Sequence, residues 1–374
     1  MRLLFISTLS GWGGSEFLWS MAAFQALKEG HEVMVSVAPE TADHEIIQQL
    51  RGQGAVVVAR YNNSKTIFQK VYLKLNRYRS NWFPVYRNID FEKPERIIIS
   101  QGGSYECCYD LELFKQINSK SIPYFIISQY HDEYGSLDEF IYHTAREIFP
   151  KAKTIYFVSQ RNREICELFI SKRLQNAKVI SNPMRIPDTK PLPYPPDETI
   201  QFACVARLDA KVKCQNILFG VMSQPQWKNR KWHLNLYGSG DDKVYLEELA
   251  QSLNLEDRIS LHGHTKDIKE IWTNNHLLIL PSSGEGCALS LIEAFGFGRT
   301  AIVTDVGGHE YLVHDNVTGF LSPGWSLKNL AMVLEKAWDV KHTWPQMGLN
   351  AFEHFQKHIN PNAVGNLLRE IIAI

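Results

Sequence analysis

Residues 277–294 read Leu277-Leu278-Ile279-Leu280-Pro281-Ser282-Ser283-Gly284-Glu285-Gly286-Cys287-Ala288-Leu289-Ser290-Leu291-Ile292-Glu293-Ala294. The apolar run at the start fits a strand covered on both faces, and a glycine-flanked loop then leads into an apolar helix. In open α/β sheets, ligands sit beyond the carboxyl ends of strands, which is where this loop falls. Glu285 lies in the loop, and Glu293 about two turns into the helix, on the face of Leu289 and near the loop. Carboxylates accept hydrogen bonds from vicinal hydroxyls, so one can hold a sugar and the other a ribose. The helix start between them suits a phosphate. A glutamate pair is commonly solvated surface; the glycine loop and the apolar helix set these two apart.

The same alternation continues in both directions. Towards the C-terminal side of the chain, strand-like runs are Ile200–Val205, Trp232–Tyr237, Arg258–Leu261 and Thr300–Val303. In the first half they are Leu3–Ser7, Glu32–Val37, Ala55–Ala59, Arg96–Ser100, Tyr124–Ser128 and Thr154–Val158, with amphipathic stretches such as Glu16–Glu29 and Asp43–Arg51 between them. This pattern predicts α/β architecture with parallel sheets. Pro183, Pro187, Pro191, Pro193, Pro195 and Pro196 interrupt it. No helix or central strand tolerates that density, and a stiff interdomain linker is expected. Two domains follow, 1–183 and 184–357, with Pro361–Ile374 read as a closing helix.

Two further strand ends carry chemistry. The first strand leads into Ser10-Gly11-Trp12-Gly13-Gly14-Ser15-Glu16 and a helix. Glycines there let a backbone approach a ligand, and the helix start favours an anion; a ligand-free tight turn is the other reading. Glu16 stands where a dinucleotide fingerprint needs its third glycine, which disfavours NAD and FAD. Ala206-Arg207-Leu208-Asp209-Ala210-Lys211-Val212-Lys213 offers a guanidinium fork and a lysine point charge, suited to a diphosphate or simply to solvent.

Composition narrows the classes. The formal net charge is zero, which weighs against nucleic acid as a partner. No apolar run is long enough to span a bilayer, and Met1–Ser7 reads as a buried strand rather than a signal peptide, so a cytoplasmic location is expected. The six cysteines contain no Cys-x-x-Cys pair, and His143, His262, His264 and His276 lack metal-ligand spacing. Asp241-Asp242 reads as a helix cap, so metal independence is expected. Neither a nucleophile elbow nor a P-loop is present. The stretch 61–89 has Lys65, Lys70, Lys74, Arg77, Arg79 and Arg87, no acid, and interleaved aromatics. It suits an anionic membrane surface or a lipid-diphosphate acceptor, or a solvated helix packed on the first sheet.

Together these residues resemble the retaining GT-B glycosyltransferases of family 4, the glycosyl transferases group 1, over nearly the whole chain and most strongly over residues 199–325. Glu285 and Glu293 are similar to the family's paired-glutamate motif, and Arg207-Leu208 with Lys213 to its phosphate clamp. Tyr237-Gly238-Ser239-Gly240, Leu261-His262-Gly263, Val306-Gly307-Gly308 through Glu310, and Thr318-Gly319 follow in the expected order. Gly13-Gly14-Ser15-Glu16 resembles the N-terminal glycine loop, and His131-Asp132 the histidine that faces the donor sugar. Cys214-Gln215-Asn216 stands where Lys-Gly is usual, which leaves Lys211 as the alternative to Lys213. Cys287-Ala288 replaces the usual aromatic-glycine pair, which leaves donor preference open.

The resemblance implies a GT-B fold, two Rossmann-like parallel-sheet domains facing a central cleft, with acceptor on the first, donor on the second, and a helix over 358–374 packing back on the first. It implies Arg207 and Lys213 on the diphosphate, Glu293 on the ribose, Glu285 on the sugar and His131 near the anomeric centre. Gly13, Gly14, Gly238, Gly263, His264, Gly286, Cys287, Ala288 and Leu289 complete the donor set, His264 towards the base. The implied activity is metal-independent, retaining transfer to a glycan or lipid-linked acceptor in polysaccharide or cell-envelope synthesis. The donor is a UDP-sugar, with a GDP-sugar second, acting as co-substrate with no cofactor. The location is cytoplasmic, or peripheral on the inner membrane face with weak contact through 61–89. Alternatives are a GT-B nucleotide-sugar epimerase or phosphorylase, a nicotinamide oxidoreductase, or a non-catalytic sugar-nucleotide-binding protein.

Overall fold

Near-continuous apolar strands need cover on both faces, and both sheets of the protein are parallel with helices on each side. A computed structural model describes residues 1–60, 86, 88–131, 133, 135–185 and 189–373. The chain divides into two units, Met1–Ser181 with Asn362–Ile374, and Asn182–Pro361. Asp132 and most of the basic aromatic stretch 61–89 lie outside the described residues.

In the first unit the strands are β1 (Arg2–Ser7), β2 (Glu32–Val37), β3 (Val56–Ala59), β4 (Arg96–Gln101), β5 (Tyr124–Ser128), β6 (Thr154–Phe157) and β7 (Ala177–Val179), in the order β3-β2-β1-β4-β5-β6-β7. Its helices include α1 (Ser15–Lys28), α2 (Glu45–Gly52), α3 (Leu111–Ser119), α4 (Glu139–Ile148) and α5 (Gln160–Phe169). The starts of α4 and α5 are fixed by Asp138 and Ser159, whose side chains accept backbone N–H groups of the first turn.

In the second unit the strands are β8 (Ile200–Val205), β9 (Trp232–Tyr237), β10 (Ile259–Gly263), β11 (Leu277–Leu280), β12 (Thr300–Thr304) and β13 (Phe320–Ser322), in the order β10-β9-β8-β11-β12-β13. Its helices include α6 (Ala210–Lys213), α7 (Gln215–Met222), α8 (Pro225–Lys228), α9 (Lys243–Ser252), α10 (Ile268–Asn274), α11 (Leu289–Gly296), α12 (His309–Leu312), α13 (Leu327–Asp339) and α14 (Trp344–His358). The last helix, α15 (Ala363–Ala373), belongs to the first unit and packs on α1 with Leu367, Leu368 and Ile371 fully buried. Burying each such side chain contributes roughly 1.5–3 kcal/mol.

The proline-rich stretch, read as a stiff linker, is held by hydrogen bonds to the second unit. Leu192 N–H donates to the Phe297 carbonyl over 3.0 Å, and the Tyr194 hydroxyl to the Trp344 carbonyl over 2.8 Å. The fully buried Arg299 donates to the carbonyls of Leu192, Pro193 and Asn275 over 2.8, 2.6 and 2.9 Å. Proline removes a backbone donor but keeps the acceptor, so a proline-rich strap can satisfy a buried guanidinium while asking for few partners of its own. Residues 191–194 thus pack on the second unit.

Candidate functional site

In the second sheet the strand order reverses between β8 and β11, so the loops after these strands border the crevice where such sheets take ligands. The loop after β8 carries Arg207. Its side chain is 61% exposed and Nη2 lies 2.7 Å from Asp209 Oδ2. Asp209 also caps α6, accepting Val212 N–H over 3.2 Å. Gly238 lets the neighbouring loop lie against this segment: at φ 145° a Cβ there would come 2.0 Å from the Ala206 carbonyl oxygen. Asp242 does not cap its own helix as the sequence suggested. Its Oδ2 accepts Ala210 N–H over 2.7 Å, because the start of α6 lies closer to it.

Lys213, at the end of α6, places Nζ 2.6 Å from Glu285 Oε1 in the loop after β11. The same oxygen accepts the Ser282 hydroxyl over 2.6 Å. Burial would raise the Glu285 carboxyl, but Lys213, His309 and the hydrogen bond from Ser282 outweigh it and hold the group below its ordinary value. Of the two candidate lysines it is Lys213 that meets Glu285; Lys211 is exposed and offers its carbonyl to the Ser283 hydroxyl over 3.2 Å. The loop is clamped from behind, where Gly308 N–H donates to the Gly286 carbonyl over 2.7 Å. Gly307 permits this: at φ 54°, a Cβ would fall 2.0 Å from the Glu285 carbonyl oxygen.

Glu293 differs from Glu285. The helix starts at Leu289, so Glu293 is the fifth residue of α11, nearer its start than the two turns expected. Its side chain is 3% exposed, and Arg185 Nε lies 3.4 Å from Oε1. Burial pushes this carboxyl up to about 7, with Arg185 opposing. Ala288 and Leu289 form the buried start of the same helix, and the Cys287 carbonyl accepts the Asn182 side-chain amide over 2.9 Å. Burial raises the Cys287 thiol to about 12, so it stays protonated at neutral pH. Gly263 ends β10, with open space where a Cβ would point, and His264 beside it is exposed.

In the first unit, His131 follows β5. Its Nε2 is 2.8 Å from the Ser128 hydroxyl, its backbone N–H donates to Asn162 Oδ1 over 3.1 Å, and the ring packs edge-on against Tyr105. It is 1% exposed, and burial pushes its imidazole down to about 3. Gly13 faces open space; its carbonyl and that of Gly14 accept the first N–H groups of α1. Glu16 is fully buried, accepts Trp19 Nε1–H over 2.8 Å and is raised by burial to about 7.

Sequence reasoning missed three groups. His309 is fully buried and feels the charge of Glu285, although it sits inside the noted run from Val306 to Glu310. Glu106 holds the Thr8 hydroxyl and Gly102 N–H over 2.6 and 3.1 Å. Arg60 is buried and ties the Ser7 and Ser36 carbonyls together. Neither Glu106 nor Arg60 stands in a recognisable motif. No group of three or more His, Cys, Asp or Glu side chains able to hold a metal occurs among the described residues, and no helix among them is long and apolar enough to cross a membrane.

The loops after β8, β11 and β12 all fall within the match to one family model, glycosyl transferases group 1, over residues 190–353. Over these residues the chain is similar to the glycosyl transferases group 1 family. The group 1 segment contains Arg207, Lys213, Glu285, Glu293 and His309. The chain is 27% identical over 185 residues to a component of the human phosphatidylinositol N-acetylglucosaminyltransferase, a match that covers 49% of this chain and 38% of that protein. It is 28% identical over 170 residues to lipopolysaccharide 1,6-galactosyltransferase of Escherichia coli, covering 42% of this chain and 45% of that one. The chain thus spans less than half of each relative's length. Among solved structures it resembles Anabaena HepE in complex with UDP and glucose, with a TM-score of 0.77 and 17% identity over 100% of this chain and 99% of the other. The fold is GT-B, built of two parallel-sheet α/β units.

Proposed function

We propose that the chain is a retaining glycosyltransferase that moves a sugar from a nucleoside diphosphate sugar to a glycan or glycolipid acceptor, without a metal ion or cofactor. The observation that carries this reading is the Lys213–Glu285 pair, 2.6 Å apart, together with the 61% exposed Arg207 guanidinium in the loop after β8. Two fixed cations at a sheet's switch point suit a leaving diphosphate, whose charge grows as the glycosidic bond breaks. The ionised Glu285 suits sugar hydroxyls, which it accepts as a carboxylate. Glu293 is assigned to the ribose hydroxyls, His264 with Gly263 to the base, and Gly238, Gly286, Cys287, Ala288 and Leu289 to the rest of the donor. In the first unit, Gly13 and Gly14 are assigned to the phosphates and His131 to the reacting sugar.

A UDP-sugar is favoured, because the Anabaena structure was solved with UDP and glucose and further relatives are named for UDP-N-acetylglucosamine transfer; a GDP-sugar is second. Relatives named for phosphatidylinositol and lipopolysaccharide support an acceptor on a lipid or cell-envelope glycan. Such an acceptor fits a protein working at the inner membrane face.

The test is an acceptor screen with UDP- and GDP-sugars in chelator, with the product anomer read by NMR. Transfer with the donor's anomeric configuration supports the reading. Inversion, or activity that appears with manganese and is absent in chelator, removes the retaining or metal-free part. Sugar isomerisation without acceptor points to an epimerase instead.

A further inference from the structure

α12 begins with a histidine that the donor assignments leave without a role. His309 is fully buried, and Nδ1 lies 2.9 Å from the Thr304 carbonyl oxygen. A carbonyl only accepts, so Nδ1 carries the proton and Nε2 presents a lone pair. Nε2 is buried and has no hydrogen-bond partner among the described residues. The charged groups that act on the ring come from three elements: Glu285 in the loop after β11, Lys213 in α6 and Asp305 in the loop after β12. The setting is rigid. The Thr304 hydroxyl donates to the Ser282 carbonyl over 2.5 Å, and the Ser282 hydroxyl donates to Glu285 over 2.6 Å. Burial holds the imidazole below its ordinary value, with Glu285 pulling the other way.

Glu285 accepts Lys213 as its cation, and the donor reading asks the same ammonium to face a diphosphate. A buried carboxylate that loses its counter-ion is costly. A proton on Glu285 would relieve that but would turn one sugar-facing acceptor into a donor. A proton on the orphaned Nε2 gives an imidazolium beside a carboxylate and leaves Glu285 an acceptor. We propose that nucleoside diphosphate binding is coupled to uptake of one solvent proton by His309 Nε2, which takes over from Lys213 as the counter-ion of Glu285. The Nδ1–H stays on the Thr304 carbonyl, and the only bond formed is N–H. The inference rests on the donor-site reading above.

The experiment is calorimetric titration of the full chain with UDP, GDP and ADP in chelator, in two buffers of different ionisation enthalpy at one pH. Wild type is compared with His309→Asn and His309→Gln. The asparagine amide can keep the bond to Thr304, and neither variant can take the proton. The nucleotide's own phosphate exchanges the same proton in all three proteins, so the difference isolates His309. Wild type is expected to take up about one proton more than the variants, and its affinity to fall more steeply with rising pH. Equal proton exchange in all three, including uptake by Glu285 itself, overturns the proposal and leaves the donor reading intact. Where the variants fail to bind, the wild-type imidazole nitrogen resonances decide: His309 charged in the complex supports the proposal, and a neutral Nδ1–H ring at saturation overturns it. Failure of all three diphosphates to bind wild type overturns the donor reading, and the proposal with it.

Discussion

The charged groups at the carboxyl ends of the two sheets are held differently. In the first unit they are turned inward: Glu16 is bound to Trp19, His131 to Ser128, and Arg60 to strand-end carbonyls. In the second unit Arg207 faces solvent, and Lys213 and Glu285 keep 17% and 11% exposure. The first arrangement fixes backbone shape; the second leaves charge available. Two sheets of one architecture therefore need not share one chemistry, and this difference is why the cations of the proposed diphosphate site are taken from the second unit.

The comparison breaks first on turnover. Lys213→Ala and Arg207→Ala are each expected to lower turnover by on the order of a hundredfold or more, since each removes a preorganised charge. Steady-state kinetics check this, and an undiminished rate in either variant would move the diphosphate elsewhere. The next effect is on stability. Glu285→Gln leaves Lys213 without its anion and should cost about 2 kcal/mol, below the figure for a fully buried pair because Lys213 retains some solvent contact. Urea unfolding measures it.

Smaller effects follow from pH. Glu293 is raised from 4.5 to about 7 in the folded protein, so its contribution is full below 4.5 and is lost as pH rises through 7. Glu293→Gln should flatten that loss by on the order of 1 kcal/mol between pH 5 and 8. His131 in the first unit works in the other direction. It is lowered from 6.5 to about 3, so its contribution is present above 6.5 and is lost as pH falls towards 3. His131→Asn should remove that acid-side slope. Unfolding measured across pH sharpens the contrast between the units if the two slopes have opposite sign, and blurs it if they do not. Arg185→Ala should have the smallest effect, about 0.5 kcal/mol, because the Arg185 side chain is one-third exposed.

What could be read beforehand follows from where information is local. β11 spans Leu277–Leu280, the run read from sequence, and is written as consecutive apolar residues, as a strand covered on both faces can be; β2, β8 and β9 also match, β2 and β9 through apolar residues at alternate positions. The meeting of Lys213 with Glu285 was legible as residue types at two strand ends and not as a pair, since 72 residues separate them. The choice between Lys211 and Lys213 needed the turn of α6. His309 was invisible because its importance lies in Nε2 having no partner among the described residues, which no spacing encodes. The contacts of the strap over residues 191–194 were not legible, because proline density reports what the backbone cannot donate, and says nothing of the Arg299 guanidinium it can accept.

The most direct measurement is a thermal-shift titration of wild type and Lys213→Ala with UDP, GDP, ADP and NAD in chelator. A ligand of the folded state at a hundred times its dissociation constant adds about 2.7 kcal/mol. One nucleoside diphosphate is expected to stabilise wild type by this order, the stabilisation to fall in Lys213→Ala, and NAD to do nothing. Stabilisation by NAD and by none of the diphosphates would contradict the assignment of the second unit to a nucleoside diphosphate.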